Sequence, residues 1–218
     1  MPEQIRSYHA RRGRLSPNQR QALIDHADLD LATHPDPLDL DATFGRIAPR
    51  TLEIGSGLGD AVLELASTNP DHDYIAADVH TKGIARTLLQ IEARKLPNVR
   101  VVHCDALAFL DRLPATSLRE ILVWFPDPWP KARHNKRRFV SPETLAQFHR
   151  ILVPEGLFLF ASDISDYVAW TRQHVADHSG FAEEGDPNEP YENWIETRYE
   201  AKARREGRGS NYLRFRRR

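Results

Sequence analysis

The sequence predicts a doubly wound α/β domain built on a mostly parallel, Rossmann-like sheet. Three observations predict it. Short apolar runs alternate with helical patterns along most of the 218 residues. The first of these runs passes directly into a glycine-rich turn that opens a helix, and acidic residues stand where the runs end. Alternating strands and helices demand parallel strands joined by crossover helices, and such sheets gather their ligands at the strands' C-terminal ends.

Taken in order, residues 1–45 read as a basic N-terminal arm and an acidic, proline-rich linker, and residues 46–218 as the domain that carries the site. Arg6, Arg11, Arg12, Arg14 and Arg20 make the first twenty residues basic, with Glu3 as their only acid. From Asp25 to Asp41 every charge is acidic, and His34-Pro35-Asp36-Pro37-Leu38-Asp39-Leu40-Asp41 separates the arm from the core. Strands are expected at Thr51–Ile54, Tyr74–Asp78, Arg100–His103, Glu120–Trp124 and Leu157–Ala161, each an apolar run bounded by turn residues. Helical spacing of apolar residues predicts helices at Asp60–Ser67, Lys82–Arg94, Ala106–Leu113 and Pro142–Leu152. A further helix at Tyr167–Ser179 precedes a Gly/Pro/Asn loop at Gly185–Pro190, and a last strand around Tyr212–Arg216 closes the chain.

Composition excludes several classes. The hydrophobic fraction of 40% and charged fraction of 28% are those of a soluble globular protein. No apolar run approaches the ~20 residues needed to cross a bilayer, so no membrane role is expected. Met1–Ser7 lacks the apolar segment of a signal peptide, which makes the cytoplasm the expected compartment. Cys104 is the single cysteine, so an intrachain disulfide and a cysteine-based metal cage are excluded, and no metal is expected. At the end of an apolar run, it reads as a small packed side chain rather than a nucleophile. Net charge is only −1, but Lys202, Arg204, Arg205, Arg208, Arg214, Arg216, Arg217 and Arg218 form a second basic block. Local basic blocks on a near-neutral protein suit a nucleic-acid footprint.

The glycine loop is Glu53-Ile54-Gly55-Ser56-Gly57-Leu58-Gly59-Asp60. A nicotinamide dinucleotide wants G-x-G-x-x-G, and that spacing fails in both frames: position 60 is Asp and position 62 is Val. Acid at both ends of the loop, Glu53 and Asp60, is also hostile to a pyrophosphate. The form suits a cofactor with a positive end and no phosphate, and S-adenosylmethionine meets both conditions. Asp78 ends the second strand about twenty residues past the loop, the usual place for a carboxylate that binds ribose hydroxyls. Asp105, beside Ala106, follows the third strand, in reach of an adenine edge. Each acid alone doubles as a helix cap; the series at successive strand ends is harder to produce by chance.

After the fourth strand comes Phe125-Pro126-Asp127-Pro128-Trp129-Pro130-Lys131-Ala132-Arg133-His134-Asn135-Lys136-Arg137-Arg138. Flanking prolines restrict Asp127, and five cations follow within eight residues. A rigid acid beside a dense basic loop reads as a site that holds a polyanion and does chemistry next to it.

With these residues assembled, the chain resembles the bacterial tRNA (guanine-N7-)-methyltransferases of the class I S-adenosylmethionine-dependent superfamily. The resemblance runs through Ile5-Arg6-Ser7-Tyr8, Arg12-Gly13-Arg14-Leu15-Ser16, the glycine loop, Asp78-Val79-His80, Cys104-Asp105-Ala106 and the proline-tryptophan-basic stretch. It continues through Ala161-Ser162-Asp163 to Thr197-Arg198-Tyr199-Glu200. It implies a seven-stranded class I methyltransferase sheet with an antiparallel last strand. It implies that Glu53, Gly55, Gly57, Gly59, Asp78, Asp105, Ala106 and Asp127 line the cofactor pocket, with Asp127 catalytic. Lys131, Asp163 and Thr197, Arg198, Tyr199 and Glu200 would contact the guanosine of the tRNA. Arg133, His134, Asn135, Lys136, Arg137 and Arg138 would contact its backbone. The target it implies is guanine N7 at tRNA position 46, in the variable loop. Asp78 departs from the family, which mostly has Glu there; Arg198 and Tyr199 replace the common Lys and Phe.

The nearest rival reading is a methyltransferase acting on an exocyclic amine of another nucleic acid, because D-P-W-P superficially resembles a D/N-P-P-aromatic loop. Trp129 after Pro128 and the long basic tail to the motif argue against it. A small-molecule or protein substrate needs no phosphate contacts, and a non-catalytic RNA binder needs no intact set of acids. The sequence leaves open whether the chain works as a monomer or a homodimer.

Overall fold

A computed structural model describes residues 13–218. Ile5–Tyr8, Arg6, Arg11 and Arg12 lie outside the described residues. The elements run α1 (Pro17–Asp25), α2 (Leu40–Phe44), β1 (Arg50–Ile54), α3 (Asp60–Thr68), β2 (Asp73–Ala77), α4 (Thr81–Arg94), β3 (Val99–Val102) and α5 (Ala106–Arg112). They continue β4 (Leu118–Trp124), α6 (Pro142–Ile151), β5 (Leu152–Ser162), α7 (Ser165–Ala176), β6 (Phe181–Glu184), α8 (Arg198–Arg205) and β7 (Asn211–Arg217). One seven-stranded sheet results, in the order β3-β2-β1-β4-β5-β7-β6. The pairs from β3 to β5 are parallel, and β7 is antiparallel to both β5 and β6. Strand order reverses between β1 and β4, which opens the crevice at their C-terminal ends.

Alternating side chains split the interior into two layers. Leu52, Ile54, Ile121, Val123, Phe158 and Phe160 pack with Phe109, Phe148 and Tyr167 of α5, α6 and α7. Tyr74, Ala76, Leu122, Trp124 and Leu159 pack with Val62, Leu65, Ile84 and Leu88 of α3 and α4, and with Tyr191. Glu53 lies between Leu52 and Ile54, so the period of two turns it toward this second layer. Leu31, Leu38 and Leu40 are buried in the first layer, so residues before and within the proline-rich stretch help to fill the core. Among the described residues, no helix is long and apolar enough to cross a membrane.

The expected strands and helices are present, with shifted ends. The expected helix Pro142–Leu152 stops at Ile151, because Leu152 already begins β5. The run expected at Leu157–Ala161 extends back to Leu152, and the register of β4 against β5 shifts between Leu118 and Glu120. Helix Tyr167–Ser179 is instead Ser165–Ala176. Four elements carry too little apolar pattern to be read in advance; α2 has five residues, of which only Leu40 is buried. In α1 only Ala22 is buried, in α8 only Glu200 and Ala203, and β6 is four residues long.

Candidate active site

The glycine loop is strapped to β2, since Gly55 and Ser56 N–H both donate to the Ala77 carbonyl at 2.9 and 3.1 Å. Gly55, Gly57 and Gly59 all have positive φ, which makes the tight path from β1 into α3 accessible to glycine at little cost. A Cβ on Gly83, in the first turn of α4, would lie 1.9 Å from the Gly57 carbonyl oxygen. The Gly57 carbonyl can therefore approach the first turn of α4 this closely only because position 83 is glycine.

Four of the expected acids hang on this frame. Glu53 is 5% exposed, and its Oε2 has no hydrogen-bond partner among the described residues. Burial pushes its carboxyl up to about 8, with Asp78 and Asp60 adding to the effect and the Val62 amide opposing it. Asp78 braces the loop, accepting from Gly57 N–H and His80 N–H at 2.7 Å each and pairing with His80 Nδ1. Asp105 caps α5 by accepting from Leu107 N–H at 2.9 Å, with half-buried Ala106 beside it. Asp127 is exposed at the end of β4. Cys104 is half-buried and its thiol is held up chiefly by that burial, as a packed side chain should be.

The loop after β4 holds its shape against local preference. Phe125 and Trp129 have φ of 50° and 45°, although each precedes a proline, which disfavours helical backbone. Such residues cost about 1–3 kcal/mol each and persist only where the surroundings over-determine them. Here the surroundings are visible. Phe125 packs against Trp194, and Trp129 is buried with His134 edge-on at 5.9 Å and the Arg137 guanidinium 4.8 Å from its ring centre. The ring of Trp129 is thus packed under the loop.

The basic stretch divides in two. Lys131, Arg133 and Lys136 are exposed, while His134, Asn135 and Arg137 are half-buried. Arg138 goes inside: its side chain is 0% exposed, it pairs with Asp166, and it lies over Tyr167 and Trp170 at 5.0 and 5.2 Å. The expected RNA-backbone contact at Arg138 therefore gives way to a packing role, because a guanidinium sandwiched by two rings is turned away from solvent.

Across the crevice, Asp163 follows β5 and its Oδ2 accepts from Arg208 Nε at 2.6 Å. Thr197 caps α8, its Oγ1 accepting from Glu200 N–H at 3.1 Å. Glu200 is buried, accepting from Trp194 Nε1 at 2.8 Å and from the Tyr212 hydroxyl. Tyr199 is 58% exposed and Arg198 faces solvent while pairing with Asp60 at 3.3 Å. Sequence reasoning missed Arg208 and Trp194, which lie in irregular segments with no periodic signal. Among the described residues, no group of three His, Cys, Asp or Glu side chains could hold a metal ion.

A family model described as "Putative methyltransferase" matches residues 47–213. A tRNA (guanine-N(7)-)-methyltransferase of Rhizobium meliloti (strain 1021) is 44% identical over 216 residues, covering 95% of this chain and 93% of that protein. One of the same name from Nitrosococcus oceani is 38% identical over 221 residues, covering 99% and 92%. Among solved structures, the 16S rRNA methyltransferase KamB superimposes with a TM-score of 0.61 at 18% identity, covering 86% of this chain and 98% of that one. The antibiotic-resistance methyltransferase Kmr gives 0.62 at 19% identity, covering 86% and 97%. These two likenesses are of fold.

Proposed function

The chain belongs to the family of tRNA (guanine-N(7)-)-methyltransferases, and we propose that the guanine whose N7 it methylates lies at tRNA position 46, in the variable loop, with S-adenosylmethionine as donor. The observation that carries the reading is the series of acids at the C-terminal ends of adjacent parallel strands, with the basic turn following that same end of β4.

The residues present fit that donor. Glu53 offers a buried carboxylate oxygen with no partner, which a cationic group satisfies, and the phosphate-free loop is flanked by acid. Glu53, Asp78 and Asp105 would hold it, with the backbone of Gly55, Gly57 and Gly59 passing beneath. When bound, S-adenosylmethionine supplies an electrophilic methyl group.

Guanine N7 carries a free lone pair at neutral pH, so no residue has to act as its base, and the chain's work is positioning. Asp127 and Asp163, at the ends of the paired strands β4 and β5, accept from guanine N1–H and its exocyclic amine. Adenine presents the opposite pattern at position 1 and is rejected. Arg208 holds Asp163 in place from the side. Lys131, Arg133 and Lys136 neutralise phosphates around the target nucleotide, which swings out of its stack to reach the acids.

The test uses labelled S-adenosylmethionine and unmodified tRNA transcripts, followed by nuclease digestion and nucleoside chromatography. Label in 7-methylguanosine that vanishes when the variable-loop guanine is changed is the expected result. Label retained after that change moves the target elsewhere in the tRNA, and label in a methylated exocyclic amine overturns the reading.

A further inference from the structure

The carboxylate of Asp60 is the one acid of the glycine loop that the site leaves unused. It is the first residue of α3, and Gly59 caps that helix without a side chain, so capping does not explain Asp60. An acid in a first helical turn is favourable but needs no partner. Asp60 nevertheless has two, from two different parts of the molecule. Its Oδ1 lies 2.7 Å from Arg86 NH1 of α4, and that same nitrogen donates to the Leu58 carbonyl inside the glycine loop. Its Oδ2 lies 3.3 Å from Nε of Arg198, the first residue of α8.

Arg198 stands between Thr197, which caps α8, and Tyr199 and Glu200 in its first turn. A continuous set of contacts thus joins the donor loop, through one carboxylate, to the element proposed to meet the tRNA. We propose that Asp60 is a positioning residue that couples donor binding to the placement of α8, so that an ordered glycine loop presents α8 to the tRNA. This inference rests on the functional reading above.

The energetics suit a coupling role better than a stabilising one. Asp60 and Arg198 side chains are 44% and 62% exposed, and pairs this open add little to stability. Coupling between two ligands needs only a small differential free energy, and an exposed pair supplies about a two- to fivefold change in affinity. The two partners also respond differently to substitution. Loss of Arg198 leaves Asp60 still paired with Arg86. Loss of the Asp60 charge leaves two guanidinium groups converging on one neutral side chain, which drives the start of α8 away from the loop.

The experiment measures tRNA affinity at fixed salt with and without S-adenosylhomocysteine, for the full chain and for Asp60→Asn, Arg198→Gln and Arg198→Lys. In the wild type the nucleoside should tighten tRNA binding about two- to fivefold, and by linkage tRNA should tighten the nucleoside by the same factor. Asp60→Asn and Arg198→Gln should bring that factor to one, Arg198→Lys should restore part of it, and Arg198→Gln alone should leave nucleoside affinity unchanged without tRNA. A factor that survives in both Asp60→Asn and Arg198→Gln, or a wild-type factor of one, overturns the coupling while both ligands still bind. A wild type that binds neither ligand overturns the functional reading and the coupling together.

Discussion

At the scale of single residues, Glu53 carries the clearest consequence. Its carboxyl sits near 8 when folded and near 4.5 in the unfolded chain, because burial disfavours the charge. Between those values the folded state holds a proton that the unfolded state has lost, so stability falls as pH rises through that window. Glu53→Gln removes this slope. Urea denaturation should show the variant gaining on the wild type by a few kcal/mol between pH 5 and pH 8. The ammonium of S-adenosylhomocysteine favours ionised Glu53, so wild-type affinity should rise with pH from 6 to 8, by no more than about tenfold per unit. In Glu53→Gln that rise should vanish; a variant that keeps it assigns the titration to another group. Arg138 makes the converse point. Arg138→Met should lower the melting temperature through lost contacts with Asp166, Tyr167 and Trp170, while leaving the salt dependence of tRNA binding intact. A flatter salt dependence in that variant would return Arg138 to the RNA-contacting set.

At the scale of elements, α8 depends on one buried carboxylate. Its sequence, Arg-Tyr-Glu-Ala-Lys-Ala-Arg-Arg, has no apolar stripe, and Glu200 does the fastening by accepting from Trp194 and Tyr212. Glu200→Ala strands the buried Tyr212 hydroxyl at about 1–3 kcal/mol and leaves the half-buried Trp194 Nε1 without its acceptor. Hydrogen exchange should quicken across residues 191–205, and methylation of tRNA should fall while S-adenosylhomocysteine binding persists. Equal loss of both would place Glu200 in the donor site. The same element shows what the sequence could and could not reveal. Strands β1 to β5 and helices α3 to α6 announce themselves because each buries a periodic apolar face. By contrast, α8 is held by a polar network whose members, Trp194, Glu200 and Tyr212, come from different segments of the chain, and no spacing rule connects them. Ser16-Pro17-Asn18-Gln19 does carry a legible signal: Ser16 and Gln19 form a capping box on α1, ahead of a helix with too little apolar character to attract notice. Among site residues, the acids are legible because strand ends are fixed by topology. Arg208 on Asp163 and Arg198 on Asp60 are not, since long side chains choose partners only in three dimensions.

At the scale of the whole molecule, a net charge of −1 hides a segregation between acids at the ends of the parallel strands and the run of cations that follows Trp129. The charge run after Trp129 looks uniform in sequence, yet folding sorts it: Arg138 enters the core, Arg137 lies on Trp129, and Lys131, Arg133 and Lys136 reach solvent. Only cations in solvent can displace the counterions condensed on RNA, so these three should set the salt dependence of tRNA binding. Each phosphate contact contributes about 0.7 to 0.9 to the slope of log affinity against log salt. Replacing Lys131, Arg133 and Lys136 together by Gln should therefore flatten that slope by about two units, measured by filter binding across a salt series. S-adenosylhomocysteine affinity should stay unchanged, because the acids proposed to hold the donor lie on β1 (Glu53) and just after β2 and β3 (Asp78 and Asp105) rather than on the basic turn. An unaltered slope would mean that the run is solvated surface and that the RNA footprint lies on the C-terminal basic block instead. The outcome thus decides which rim of the crevice faces the phosphates, and with it the direction from which the tRNA approaches the acids.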